Sequence, residues 1–237
     1  MSSSALESPA VEGHERRRIT VTKDGPYRVE GGPRLGRLAP VETEFGEPVE
    51  WERGEDFEQR QVVELCRCGG SSRKPFCDST HERIGFDGTE TADRRPSAAR
   101  REVWPGEDVV LTDDLSLCTL HGFCGDRSTK VWQMIDRTAD PEVRAKLMGM
   151  VDRCPSGRIQ YSIPPNPEPF EHDLEPEVAV TPNGPLWVRG GVQVVSEDGT
   201  SWERRNRITL CRCGHSENKP LCDGSHNDVG FTDEPAD

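Results

Sequence analysis

The nine cysteines of this 237-residue chain fall into three groups of three, with none left over. Cys66, Cys68 and Cys77 form the first group, Cys118, Cys124 and Cys154 the second, and Cys211, Cys213 and Cys222 the third. The opening stretch "MSSSALESPAVEGHERRR" has no apolar leader and reads as a disordered tail over 1–18. An odd cysteine count in that setting speaks against a disulfide framework. Thiolates gathered on short polar loops point to metal.

Two of the groups are copies. "CRCGGSSRKPFCDSTH" at 66–81 and "CRCGHSENKPLCDGSH" at 211–226 share C-x-C-G-x-S, K-P-x-C-D and the final His, at an offset of 145. Upstream, "ITVTKDGPYRVEGG" matches "VAVTPNGPLWVRGG" at an offset of 159, so the first copy carries 14 extra residues before its cysteines. Such a duplication implies two similar units related by a pseudo-twofold axis. Each unit reads as β: "ITV" and "YRV" alternate around "KDGP", "VAV" and "LWV" around "PNGP". "EDGT" adds a hairpin signal between "VQVV" and "RNRITL". "VVEL" or "RITL" then delivers the chain into each C-x-C.

Both cysteine loops resemble the CDGSH iron–sulfur domain family, C-x-C-x2-[ST]-x3-P-x-C-D-G-[SAT]-H, over roughly 19–88 and 178–232. The second copy fits throughout; the first has Ser79 where the family has Gly. The resemblance implies a β-rich pair holding two [2Fe-2S] clusters. It implies Cys66, Cys68, Cys77 and His81 for one, and Cys211, Cys213, Cys222 and His226 for the other. Structural zinc sites usually space cysteines C-x2–4-C, wider than the C-x-C here, and zinc stays as the alternative. In the iron reading Cys211 and Cys213 hold one iron, Cys222 and His226 the other, and Asp223 caps the short helix presenting His226. Imidazole in place of thiolate raises the potential. Ser79 reads as harmless, since every implied ligand is retained. His215 matches Gly70 and is not assigned as a ligand; His14 and His172 are assigned nothing.

The middle group differs. "CTLHGFC" places His121 midway between Cys118 and Cys124, and Cys154 is followed by Pro155. This resembles single-cluster bacterial ferredoxins of the divergent monocluster type, C-x2-[C/H]-x2-C…C-P, over about 101–163. The resemblance implies one [3Fe-4S] or [4Fe-4S] cluster on Cys118, Cys124 and Cys154, with His121 as fourth ligand or bystander. "DVVLTDDLSLC" reads as a strand into that loop. "DPEVRAKLMGMVDRC" reads as a helix capped by Asp140, with Val143, Leu147 and Val151 on one face, and "RIQYSI" closes as a strand.

The expected fold class is therefore α+β, mostly β. Two CDGSH units (19–90 and 178–232) form an intramolecular pseudo-dimer around an inserted ferredoxin-like module (101–163). "TADRRPSAARRE" and the Pro-rich, acidic stretch at 164–177 read as solvated linkers. Hydrophobic residues make up 32% of the chain, so each unit owns a thin core that a metal centre would staple. A net charge of −13 excludes a nucleic-acid surface, and no apolar run is long enough for a membrane span. No phosphate-binding glycine loop, nucleophile motif or flavin fingerprint marks an enzyme. The expectation is a cytoplasmic, bacterial electron carrier serving a redox partner such as a reductase or oxygenase. The alternative is a redox sensor, or a protein passing clusters to an apo-acceptor.

Overall fold

Both "GP" turns form the expected hairpins, yet neither half completes its sheet with its own strands. The computed structural model describes residues 17–233, so nearly all of the tail assigned to 1–18, His14 included, lies outside the described residues. In the first half β1 (Arg18–Val21) pairs antiparallel with β2 (Tyr27–Glu30), followed by β3 (Arg34–Glu42), β4 (Pro48–Asp56) and β5 (Val62–Leu65). In the second half β9 (Glu177–Val180) pairs with β10 (Leu186–Arg189), followed by β11 (Gln193–Ser196) and β12 (Arg207–Leu210). The strands that enter the cysteine loops add to these hairpins, β5 on β2 and β12 on β10. The remaining strand is exchanged: β11 runs parallel to β1, and β3 parallel to β9. The sheets are thus β11-β1-β2-β5 and β12-β10-β9-β3-β4. Ile19, Tyr27 and Leu65 share one apolar core with Val178, Leu186 and Leu210. The fold is mostly β, with the two copies locked as a pseudo-dimer.

The exchange revises one expectation. "EDGT" does turn, with the Ser196 amide donating to the Thr200 carbonyl, but the returning strand is Ser201–Trp202. "RITL" lies on β10 instead, because β11 gives an edge to β1 and β12 must carry its cysteine loop beside the β9–β10 hairpin. The 14 extra residues of the first copy also find their place. They lengthen β3 and β4 into a hairpin of nine-residue strands, where β11 has four residues.

The inserted module has its own core. β6 (Glu102–Pro105), β7 (Val110–Asp113) and β8 (Ile159–Ser162) form an antiparallel sheet. After the short helix α1 (Thr80–Ile84) of the first copy, α2 (Val131–Met134) and α3 (Pro141–Asp152) pack on this sheet. The Asp140 side chain accepts from the Glu142 amide at 2.9 Å, the expected cap, and Leu147 and Val151 are fully buried.

Both linkers are docked rather than merely solvated. The amides of Thr91 and Ala92 donate to the Lys219 carbonyl, and the Arg94 guanidinium lies 4.0 Å from the Trp202 ring centroid. In 164–177, Phe170 stacks on Tyr161 at 5.5 Å, and Glu171 takes the Arg207 guanidinium. Glu177 is buried in β9 between Arg53 and Arg189. The acids that read as solvated are matched to arginines across the junction, which makes their burial tolerable.

One consequence is an asymmetry between the halves. β1 alternates exposed and buried, whereas β9 and β12 are buried throughout. The β3–β4 hairpin covers the second half, with Trp51 packed on Leu38, Ala179 and Trp187.

Candidate metal centres

The two cysteine loops are built alike. In each, the first cysteine amide donates to a proline carbonyl (Cys66 to Pro75, Cys211 to Pro220), and the third donates back to the entering strand. The motif serine ties the loop across: Ser71 Oγ donates to the Phe76 carbonyl and Ser216 Oγ to that of Leu221. The motif aspartate stitches one end of the loop to the other. Asp78 accepts from the Ser72 and Thr80 amides, and Asp223 from those of Glu217 and Ser225. The Ser72 amide, then Thr80, hold the Asp78 carboxyl well below the usual carboxylate range. Asp223 thus acts just before the short helix α4 (Ser225–Asp228), one residue upstream of a cap.

Within each loop the implied ligands stand as two pairs. Cys66 and Cys68 sulfurs lie 3.9 Å apart, and Cys77 Sγ is 3.4 Å from His81 Nδ1. The second loop repeats this, with 3.6 Å between Cys211 and Cys213 and 3.4 Å between Cys222 Sγ and His226 Nδ1. Backbone amides of Gly70, Ser79 and His215 point at sulfurs, which suits thiolates. His215 contributes that amide while its side chain is exposed. Hydrogen bonds from the neighbouring thiols lower Cys66 and Cys211 to about 6, so one sulfur of each pair is a thiolate at neutral pH. The partners Cys68 and Cys213 are pushed up by the same bonds. Burial keeps His226 below its ordinary value, hence neutral and able to bind a metal. Among the described residues no three His, Cys, Asp or Glu side chains surround a single-ion position. A two-by-two donor set suits a two-metal centre better than one zinc.

The x of C-x-C is arginine in both copies, and its role escaped sequence reasoning. Arg67 and Arg212 are fully buried and reach under the loop to grip the hairpin turn of their own copy. Arg212 donates to the carbonyls of Gly184 and Thr181, both at 2.6 Å, and pairs with Asp233 at 2.9 Å. Arg67 donates to the carbonyls of Thr22 and Gly88. The two loops meet where the backbones of Cys68 and Cys213 form an antiparallel β-bridge, and a side chain at Gly69 or Gly214 would run into the opposite carbonyl.

Ser79 is not harmless in the way expected. Its φ is +64°, and its counterpart Gly224 sits at +94°, both in the region that favours glycine. Gly224 has a second requirement, since a Cβ there would lie 2.7 Å from Leu120 Cδ1. Ser79 therefore carries backbone strain that no ligand change would reveal. The Ser79→Gly variant should gain about 1 kcal/mol in urea unfolding. An unchanged midpoint would mean that local hydrogen bonds already offset the strain.

Cys118, His121, Cys124 and Cys154 line one cavity of about 200 Å³ in the inserted module. β7 and the turn at Leu115–Leu117 deliver Cys118, and the end of α3 delivers Cys154. Burial pushes the Cys124 thiol up. Arg158 closes the cavity: it donates to Cys118 Sγ at 3.0 Å while pairing with Asp113 at 2.6 Å. Its sequence signal was only a lone arginine four residues after Cys154. The His121 ring is held in place. Its Nδ1 lies 2.8 Å from Thr119 Oγ1, and the ring packs 5.6 Å from Trp51 and 6.1 Å from His226. Burial, then the nearby His226, lower it to about 4, so it is neutral with Nε2 uncommitted to Thr119. His172 Nε2 lies 3.0 Å from Asp152 Oδ2 and does not line the cavity of the middle cysteines.

The family described as iron-binding zinc finger, CDGSH type, matches residues 24–82 and 183–227. The divergent 4Fe-4S mono-cluster family matches 104–164. No curated protein matches the chain. The two copies thus match the CDGSH-type iron-binding family and the module between them the divergent 4Fe-4S mono-cluster family, and the matches together support an iron–sulfur binding protein.

Proposed function

We propose that the chain is an electron carrier holding two [2Fe-2S] clusters and one [3Fe-4S] or [4Fe-4S] cluster. Cys66, Cys68, Cys77 and His81 would hold the first, and Cys211, Cys213, Cys222 and His226 the second. Cys118, Cys124 and Cys154 would hold the third, with His121 at its open corner. The observation that carries this reading is the pairing of donors two by two in both loops, beside a three-cysteine cavity in the same folded body. Bound clusters supply one-electron redox chemistry. The chain's own part is to present thiolates steadied by amides, to keep His226 neutral by burial, and to exclude water from the second loop. A cytoplasmic reductase or oxygenase is the proposed partner class, with no catalytic role for the chain itself. No helix among the described residues is long and apolar enough to cross a membrane.

One observation favours a second reading, cluster transfer. Cys77 is only half-buried, whereas Cys222 is buried, so the first site is open enough to hand its cluster to an acceptor. The test is iron and sulfide analysis with EPR on anaerobically purified protein. Roughly seven or eight irons per chain are expected. Two or three zinc ions with no visible absorption would overturn the reading. Iron retained through repeated reduction and reoxidation supports the carrier; iron delivered to an apo-ferredoxin supports transfer.

A further inference from the structure

Resting on the reading of three iron–sulfur centres, we infer that His121 and His226 form the contact through which the middle and second centres exchange electrons. The first centre is then the remote one. The two rings lie 6.1 Å apart between centroids, tilted by 43°. His226 belongs to the second donor set, and His121 lines the middle cavity together with Cys118, Cys124 and Cys154. One ring-to-ring step therefore joins the two sites, with no residue between.

The contact is built, not incidental. Thr119 fixes one face of the His121 ring's hydrogen bonding, and Trp51, brought by the long β3–β4 hairpin, packs against the ring at 5.6 Å. Trp51 is itself anchored, its Nε1 donating to the Arg153 carbonyl at 2.8 Å. Leu120 takes a φ of +60°, a conformation that costs a leucine on the order of 1 kcal/mol or more. That strain lays its side chain over Gly224, two residues before His226. Asn218 of the second loop donates to the Ser116 carbonyl at 2.8 Å, closing the other side. The first loop has no such link: among the described residues, no hydrogen bond or ring contact joins 66–81 to 104–164. The pseudo-twofold axis relates the two loops to each other, and the inserted module breaks that equivalence by docking on one of them.

The exchange moves one electron. The centre that gives it is oxidised by one, the other is reduced by one, and no bond or proton moves. A one-electron reductant, sodium dithionite in the test, supplies the electron from outside.

The experiment is EPR power saturation on the whole, anaerobically purified protein after reduction. The middle centre is paramagnetic when reduced in either its three- or four-iron form, so it speeds the spin relaxation of a close neighbour. Two populations of reduced two-iron signal are expected, one fast-relaxing and one slow. The His81→Cys variant keeps four ligands, shifts the first centre's signal by trading imidazole for thiolate, and so labels it. The labelled signal should be the slow one. The Cys124→Ala variant, which dismantles the middle centre, should make the fast population slow. Two populations that saturate alike in the unmodified protein overturn the proposal, as does a labelled signal that is the fast one. Absence of any two-iron signal overturns the underlying reading of the centres, an outcome distinct from both.

Discussion

Replacing Arg207 with methionine is expected to destabilise the protein by about 3–5 kcal/mol, because it breaks a buried ion pair and takes a charged donor from three carbonyls at once. Arg207 leaves β12 with a side chain only 4% exposed and pairs with Glu171 through two nitrogens. Its remaining nitrogen donates to the carbonyls of Val151, Asp152 and Cys154. Those are the last carbonyls of α3 and the backbone of a cavity cysteine, so a strand of the second copy caps the helix of the inserted module. The loss should fall first on the middle site, as faster amide exchange at the end of α3 and iron lost there ahead of the two-iron signal. Pairing the change with Glu171→Gln should recover part of the stability, since no unpaired buried charge then remains. Equal costs for the single and double variants would show that the charge pair is not what matters.

The second large effect is expected at Asp233. Arg212 is 1% exposed, and Asp233, with a side chain 3% exposed, is its counter-charge at 2.9 Å. Asp233→Ala should cost about 3–5 kcal/mol in urea unfolding, because the arginine between two cysteine ligands is left buried and unpaired. Asp233→Asn should also be costly, since it keeps the shape and loses the charge. The pH dependence has a definite sign. Burial raises the Asp233 carboxyl, but the Arg212 charge and hydrogen bonds from Asn183, Arg212 and Arg37 outweigh it and leave the folded value lowered. Its contribution is therefore present above the ordinary carboxylate range and fades as pH falls through the depressed folded value. The asparagine variant should lose this acid-side slope; an unchanged slope would assign it to other carboxylates.

What could be read from the sequence was local. The "KDGP" and "PNGP" turns, the Asp140 cap and the Leu147–Val151 face each depend on residues a few positions apart, and each forms as expected. The three groups of cysteines were legible because ligand spacing is itself a local pattern. Partner choice was not. Nothing in "VQVV" says that it will pair with "ITV" from the other copy, because β-strand edges carry little address in four residues. The long hairpin showed only as 14 unmatched residues, and Trp51, which steadies His121, lies 70 residues from the ring it touches. Ser79 was misjudged for a related reason. A family glycine does not announce whether it is needed for space or for φ, and only the +64° value decides.

The strand exchange also bears on how the chain is made. β1 emerges from the ribosome early, yet its parallel partner β11 lies near the other end, as Arg18 and Gln193 are register mates. At ordinary elongation rates the interval is on the order of ten seconds. During it the edges of β1 and β9-seeking β3 stand open, with Ile19 and Val21 lacking part of their cover. The inserted module, whose β6–β8 sheet and helices close among themselves, can mature in that gap. A nascent chain in this state needs shielding of an open sheet edge, so its yield should depend on holdase capacity more than on the strength of any single contact.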